Sequence, residues 1–109
     1  MSENLKIAIV LRTGRVAIGM NQQEFADALG VAKSTVARAE TLEMPIKAET
    51  YFKALRIFKQ NGLEVDPIYS EGIDIKITPE ALAIAQKKLD DESQRRSDRK
   101  PRVQTEKNS

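Results

Sequence analysis

Residues 21–40 leave room for little besides two short helices joined by one tight turn. Asn21 is a favoured N-cap and Glu24 stands three residues on, the spacing of a reciprocal capping box. Phe25 and Leu29 lie one helical turn apart, and Gly30 supplies the left-handed residue that ends the helix. After Val31, the stretch Lys33 to Glu40 predicts another helix, with Val36 and Ala39 as its apolar positions and polar side chains on the other face.

The flanking segments fit around this pair. From Leu5 to Ile18, the residues Leu5, Ile9, Arg12 and Val16 share one helical stripe with Ala8, Leu11 and Ile18 close by, which predicts an amphipathic helix interrupted by Gly14 and ended at Gly19. Pro45 breaks the chain after Glu40, and a further helix over 48–61 buries Tyr51, Ala54, Leu55 and Phe58 before Asn61-Gly62. Val16, Phe25, Leu29, Val36 and Tyr51 are expected in the core. The period then changes. Leu63 to Asp66 and Ile73 to Ile77 alternate apolar and charged residues, the pattern of two half-buried strands joined by a turn over 67–72. Thr78-Pro79-Glu80 reads as an N-cap, a first-turn proline and a first-turn acid, so a fifth helix runs from Pro79 to about Glu92 with Leu82, Ala85 and Leu89 on one stripe. From Gln94 to Arg102 no apolar residue is available to bury, which predicts a disordered basic tail. The expectation is a mainly α fold of five helices with a small C-terminal β-hairpin, organised as one domain over 1–93 and a tail over 94–109.

Composition removes whole classes of function. The 109 residues include neither cysteine nor histidine. Disulfides, thiolate nucleophiles and the usual zinc ligands are therefore excluded, together with every Ser-His or Cys-His dyad. Neither a metal nor a cofactor is expected, and the chain reads as a non-enzyme. Its densest acidic cluster, Asp90-Asp91-Glu92, sits near a helix end and reads as solvated surface. Residues 1–6 lack a basic leader region, and the apolar run Ile7 to Leu11 is too short to span a membrane. A cytoplasmic location without membrane attachment is expected. A formal charge of +2 permits nucleic-acid binding without arguing for it.

Two short helices around a glycine turn are the material of a helix-turn-helix, whose second helix fits the major groove of DNA. Over Arg15 to Glu40 the order is Arg15, Gly19, Asn21-Gln22, Ala26, Gly30-Val31, Lys33-Ser34-Thr35 and Glu40. That order resembles the Cro/phage-repressor (xenobiotic-response-element) family of helix-turn-helix regulators, with a λ-repressor-like fold. The likeness extends over about residues 5–77.

The resemblance implies a bacterial or phage DNA-binding regulator acting on double-stranded DNA, a repressor that binds a palindromic operator as a homodimer. It implies that Lys33, Ser34, Thr35 and Arg38 face base edges, and that Asn21 and Gln22 meet phosphate at the start of the first motif helix. Lys47 is the candidate phosphate contact in the loop before the fourth helix. Arg15 and Glu40 fall where the family has a structural ion pair. Two positions depart from its pattern: Ala32 replaces the usual Ser or Thr cap, and Thr41-Leu42-Glu43-Met44 lacks the usual glycine after Glu40. For dimerisation the candidates are Leu63, Val65, Ile73, Ile75 and Ile77 of the hairpin with Leu82 and Leu89 of the last helix. The same C-terminal third motivates an alternative, an antitoxin that neutralises a protein partner and autoregulates through the helix-turn-helix. Arg95, Arg96, Arg99, Lys100 and Arg102 are either a phosphate track or a solvated tail.

Overall fold

Local capping chemistry sets where the central helices start and stop. The computed structural model describes residues 3–66 and 71–99, with side chains through Ser93 in the last helix. Among these residues the order is α1 (Glu3–Ala17), α2 (Gln22–Leu29), α3 (Lys33–Glu40), α4 (Ala48–Gln60), β1 (Leu63–Val65), β2 (Ile75–Ile77) and α5 (Pro79–Arg99). At the start of α2 the Glu24 amide donates to the Asn21 side chain at 2.7 Å, and the Asn21 amide donates to the Glu24 carboxylate at 2.9 Å. Two donors at the helix start are thus satisfied reciprocally. Gly30, at φ 76°, ends the helix by turning its own N–H onto the Ala26 carbonyl at 2.8 Å. No side chain caps α3, because Ala32 has none to offer.

The core lies where α1, α2, α3 and α4 meet. Phe25 and Phe58 stack at its centre with ring centroids 5.5 Å apart and planes 8° from parallel. Leu11, Val36 and Leu63 close around them, all fully buried. Gly14 is part of this packing rather than an interruption of α1. A Cβ placed there would stand 2.5 Å from the Phe58 ring, so the missing side chain is the slot that the ring occupies. The slot fixes which side of α1 faces inward. Its buried apolar side takes in Ala8, Val10, Leu11 and Gly14, continued by Ile18. The expectation that Val16 belongs to the core is therefore wrong: it is 63% exposed, and Leu5 and Ile9 share its outer face. Both faces of α1 carry apolar residues, and the packing of α3 and α4 distinguishes them.

The hairpin is antiparallel, pairing Leu63 with Ile77, Glu64 with Lys76 and Val65 with Ile75. Its strands are shorter than the alternation suggests, although the Asp66 amide still donates to the Asp74 carbonyl at 2.9 Å. Most of the expected turn, 67–70, lies outside the described residues. Leu63 is buried, Val65, Ile73 and Ile75 pack partly against the helical core, and Ile77 stays nearly half exposed.

Thr78 joins the hairpin to α5. Its hydroxyl accepts the Ala81 amide at 3.3 Å and donates to the Gly62 carbonyl. Gly62 sits at φ 84°, and a Cβ on it would come within 2.7 Å of the Ala81 backbone nitrogen. Farther along, the Lys88 ammonium donates to the Ile18 carbonyl at the end of α1. The face of α5 turned to the body carries Ala81, Ile84, Ala85 and Lys88, whereas Leu82 and Leu89 are exposed on its shoulder. The Thr78 and Lys88 tethers set the rotation of the helix, which leaves the dimer candidates Leu82 and Leu89 open to solvent. One expectation about this end needs correction: the helix does not end near Glu92 but continues through Arg99. Glutamine and arginine are good helix formers, so propensity can propagate a helix once it has started. The rest of the expected tail, 100–109, lies outside the described residues. None of the helices described is long and apolar enough to cross a membrane, and no metal-holding group of acidic side chains occurs among the described residues.

Candidate nucleic-acid interface

The orientation of α2 against α3 is set by one polar network. Arg15, in the last turn of α1, donates to both carboxylate oxygens of Glu40, through Nε at 2.7 Å and Nη2 at 3.1 Å. Its Nη1 also donates to the Met20 carbonyl in the turn before α2, at 2.9 Å. Gln22 completes the set by donating from Nε2 to Glu40 Oε1 at 3.1 Å. Side-chain exposure is 13% for Arg15 and 2% for Glu40. Charges removed from water this far must be paired, and a bidentate guanidinium–carboxylate pair satisfies several donors and acceptors at once. The network ties α1, the start of α2 and the end of α3 together. Its third member, Gln22, has no counterpart in the ion pair expected from the sequence, where its amide is assigned to phosphate alone.

On α3, Val36, Ala39 and Glu40 are buried, and Lys33, Ser34, Thr35 and Arg38 are exposed. At ~100° per residue, Ser34 and Arg38 project almost opposite the buried seam, with Lys33 on one shoulder and Thr35 on the other. None of the four is covered by the described C-terminal elements. Where α5 approaches the body it borders the start of α2, with Lys88, Asp91 and Glu92 around Gly19, Met20, Asn21 and Glu24. Asn21 is exposed at this end, with its side chain engaged by the capping box.

The other flank of α3 is a cleft between the α2–α3 turn and α4. Thr35, Lys47, Lys53 and Arg56 line it along with Glu49. Lys47 occupies the N-cap position of α4 without making a side-chain cap bond. Lys53 donates to the Leu29 carbonyl at 3.1 Å, stabilising the C-terminal end of α2 where a cation is favoured. Lys53 and Arg56 are missed in the sequence reading. The available signal is their i, i+3 spacing on the polar side of a helix that follows Lys47, but nothing local shows that this side faces α3. A protein of charge +2 thus exposes Lys33 and Arg38 on α3 and lines the adjoining cleft with Lys47, Lys53 and Arg56.

The site is thus a short helix exposing polar residues, anchored by a buried ion pair and flanked by a capped helix start and a cationic cleft. The helix-turn-helix family model matches the chain over residues 11–63. This segment is a helix-turn-helix domain of the Cro/C1 type. The match to that family is narrower than the likeness over 5–77 suggests and ends at the first residue of β1, leaving β2 and α5 outside it. No curated protein and no solved structure matches the chain. The Cro/C1-type domain supports a role for the protein as a DNA-binding transcription regulator.

Proposed function

We propose that the protein is a sequence-specific repressor that inserts α3 into the major groove and occupies a palindromic operator as a homodimer. The observation that carries this reading is the exposed set Lys33, Ser34, Thr35 and Arg38 on a helix held in place by the buried Arg15–Glu40–Gln22 network. Lys33 and Arg38 donate to guanine O6 and N7, Ser34 to either kind of base, and Thr35 presents its methyl to thymine or its hydroxyl to phosphate. Asn21 and Gln22 meet a phosphate at the start of α2, where the helix dipole favours an anion. Lys47 contacts the backbone on the other side, with Lys53 and Arg56 extending that track. For Gln22 this requires its amide to be shared between Glu40 and the phosphate. The reading assigns no catalytic role, and the protein works where the chromosome is, in the cytoplasm.

Support for the homodimer comes from the C-terminal elements. Ile77, Leu82 and Leu89 are large apolar side chains left exposed beyond the matched domain. Pairing two copies through them would hold two α3 helices at the spacing that operator half-sites require. A different polypeptide on the same face is the antitoxin reading, and the molar mass of the purified species separates the two.

The test begins with selection of bound fragments from random DNA, followed by footprinting. On a selected site, Arg38→Ala should cost ~1–3 kcal/mol at the base it reads and leave random DNA nearly unaffected, whereas Gln22→Ala should weaken both alike. Equal losses for both variants on both DNAs would refute the division of roles, and sedimentation that finds only monomer, free and on DNA, would refute the dimer.

A further inference from the structure

The chain leaving α3 folds back onto Arg38. In the segment where the family's glycine is missing, Leu42 itself adopts φ 65°, a conformation rare for a residue with a side chain. That reversal points the next two amides at the helix end. Glu43 N–H donates to the Arg38 carbonyl at 2.8 Å and Met44 N–H to the same oxygen at 3.3 Å. The Thr41 hydroxyl fastens the other side by donating to the Ala37 carbonyl at 3.0 Å. Met44 is thereby fixed beside Arg38, and its Sδ accepts from Arg38 Nη1 at 3.6 Å. Both side chains are exposed, Met44 by 52%, so burial in the core does not account for the contact.

We propose that Met44 is a positioning residue that orients the Arg38 guanidinium before DNA arrives. The contact engages Nη1 and leaves the Nε–Nη2 edge, a donor pair able to span guanine O6 and N7. A thioether is a weak acceptor, strong enough to bias a flexible arginine and too weak to compete with a base. A carboxylate at the same place would form an ion pair and hold the guanidinium against release. The benefit is preorganisation: less rotamer freedom remains to be lost on binding.

This inference rests on Arg38 being a base-reading residue, and the experiment separates the two ideas. Affinities of wild type, Met44→Ala, Met44→Leu, Arg38→Ala and the Met44→Ala/Arg38→Ala double variant are measured on a selected site and on random DNA of the same length and salt. Thermal unfolding checks that each variant folds, and Met44→Leu preserves bulk if Met44→Ala does not. Loss of the sulfur should weaken the selected site by about 3- to 10-fold and leave random DNA unchanged. That loss should vanish when Arg38 is already alanine. The same loss in the Arg38→Ala background, equal losses on both DNAs, or tighter binding on removal of the sulfur would each overturn the positioning role. If Arg38→Ala leaves selectivity intact, the base-reading assignment fails and the role of Met44 falls with it.

Discussion

Helices α4 and α5 show two ways of holding a helix to the same body. The shorter α4 buries Tyr51, Ala54 and Phe58, and Phe58 fills the slot left by Gly14 at the centre of the core. The longer α5 buries only Ala81 among its described side chains, and it is held by Thr78 at one end and Lys88 farther along. Packing of large apolar side chains contributes several kcal/mol per residue, while a hydrogen bond contributes a net ~0.5–1.5 kcal/mol. α4 is therefore integral to the domain that presents α3, and α5 is an appended element whose attachment is local and polar. The difference follows the boundary of the family match, which takes in all of α4 and stops before α5.

The strongest test of this contrast is Phe58→Ala. It removes the partner of both Phe25 and Gly14 and should destabilise the whole fold by ~3–5 kcal/mol, read from the midpoint of urea unfolding. An effect below about 1 kcal/mol would mean that α4 is no better anchored than α5. Gly62→Ala comes next. A left-handed residue carrying a Cβ, crowded against Thr78 and Ala81, should cost ~2–3 kcal/mol. Amide exchange should locate that loss in the hairpin and α5 more than in α4, and a uniform loss of protection would contradict the idea of a separately tethered helix.

A smaller effect links the body to the hairpin through charge. Burial raises the Tyr51 pKa, and the Asp66 carboxylate raises it further. The folded state then holds the phenolic proton more tightly than the unfolded chain does. The associated stability is intact below the unfolded value near ~10 and is lost as pH rises through the folded one. Tyr51→Phe should flatten this alkaline decline, and Asp66→Asn should reduce it. An unchanged pH profile would show that ionisation of this residue is not what drives it. The smallest change is expected from Leu82→Ser with Leu89→Ser, which should alter the stability of the isolated protomer by no more than ~0.5 kcal/mol each. Any larger loss that grows on dilution would place those side chains in the proposed dimer.

Much of the fold was readable from short stretches of chain. Asn21 with Glu24, Gly30, and Thr78 followed by Pro79 announce helix ends because each acts on backbone groups within a few residues. The polar face of α3 was readable for the same reason: Val36 and Ala39 settle which side turns inward, and Lys33, Ser34, Thr35 and Arg38 then point out. The errors come from residues whose partners are distant in sequence. Val16 looked like core because α1 carries apolar residues on two faces. The rotation of α5, which leaves its leucines exposed, is set by tethers to Gly62 and Ile18. Lys53 and Arg56 carried no visible assignment, since their facing depends on how α4 lies against the α2–α3 turn.

By itself, then, the sequence determined the number and limits of the central helices, the change to strand period after Gly62 and the residues exposed on α3, because hydrogen bonds and periodicity act over a turn or two of chain. Tertiary structure alone decided that Gly14 receives Phe58, that Gln22 joins Arg15 on Glu40, and that Leu42 turns left-handed to bring Met44 onto Arg38. The first two unite residues that only the packed core brings together, and the third is a backbone state that side-chain identity disfavours and the surrounding hydrogen bonds hold.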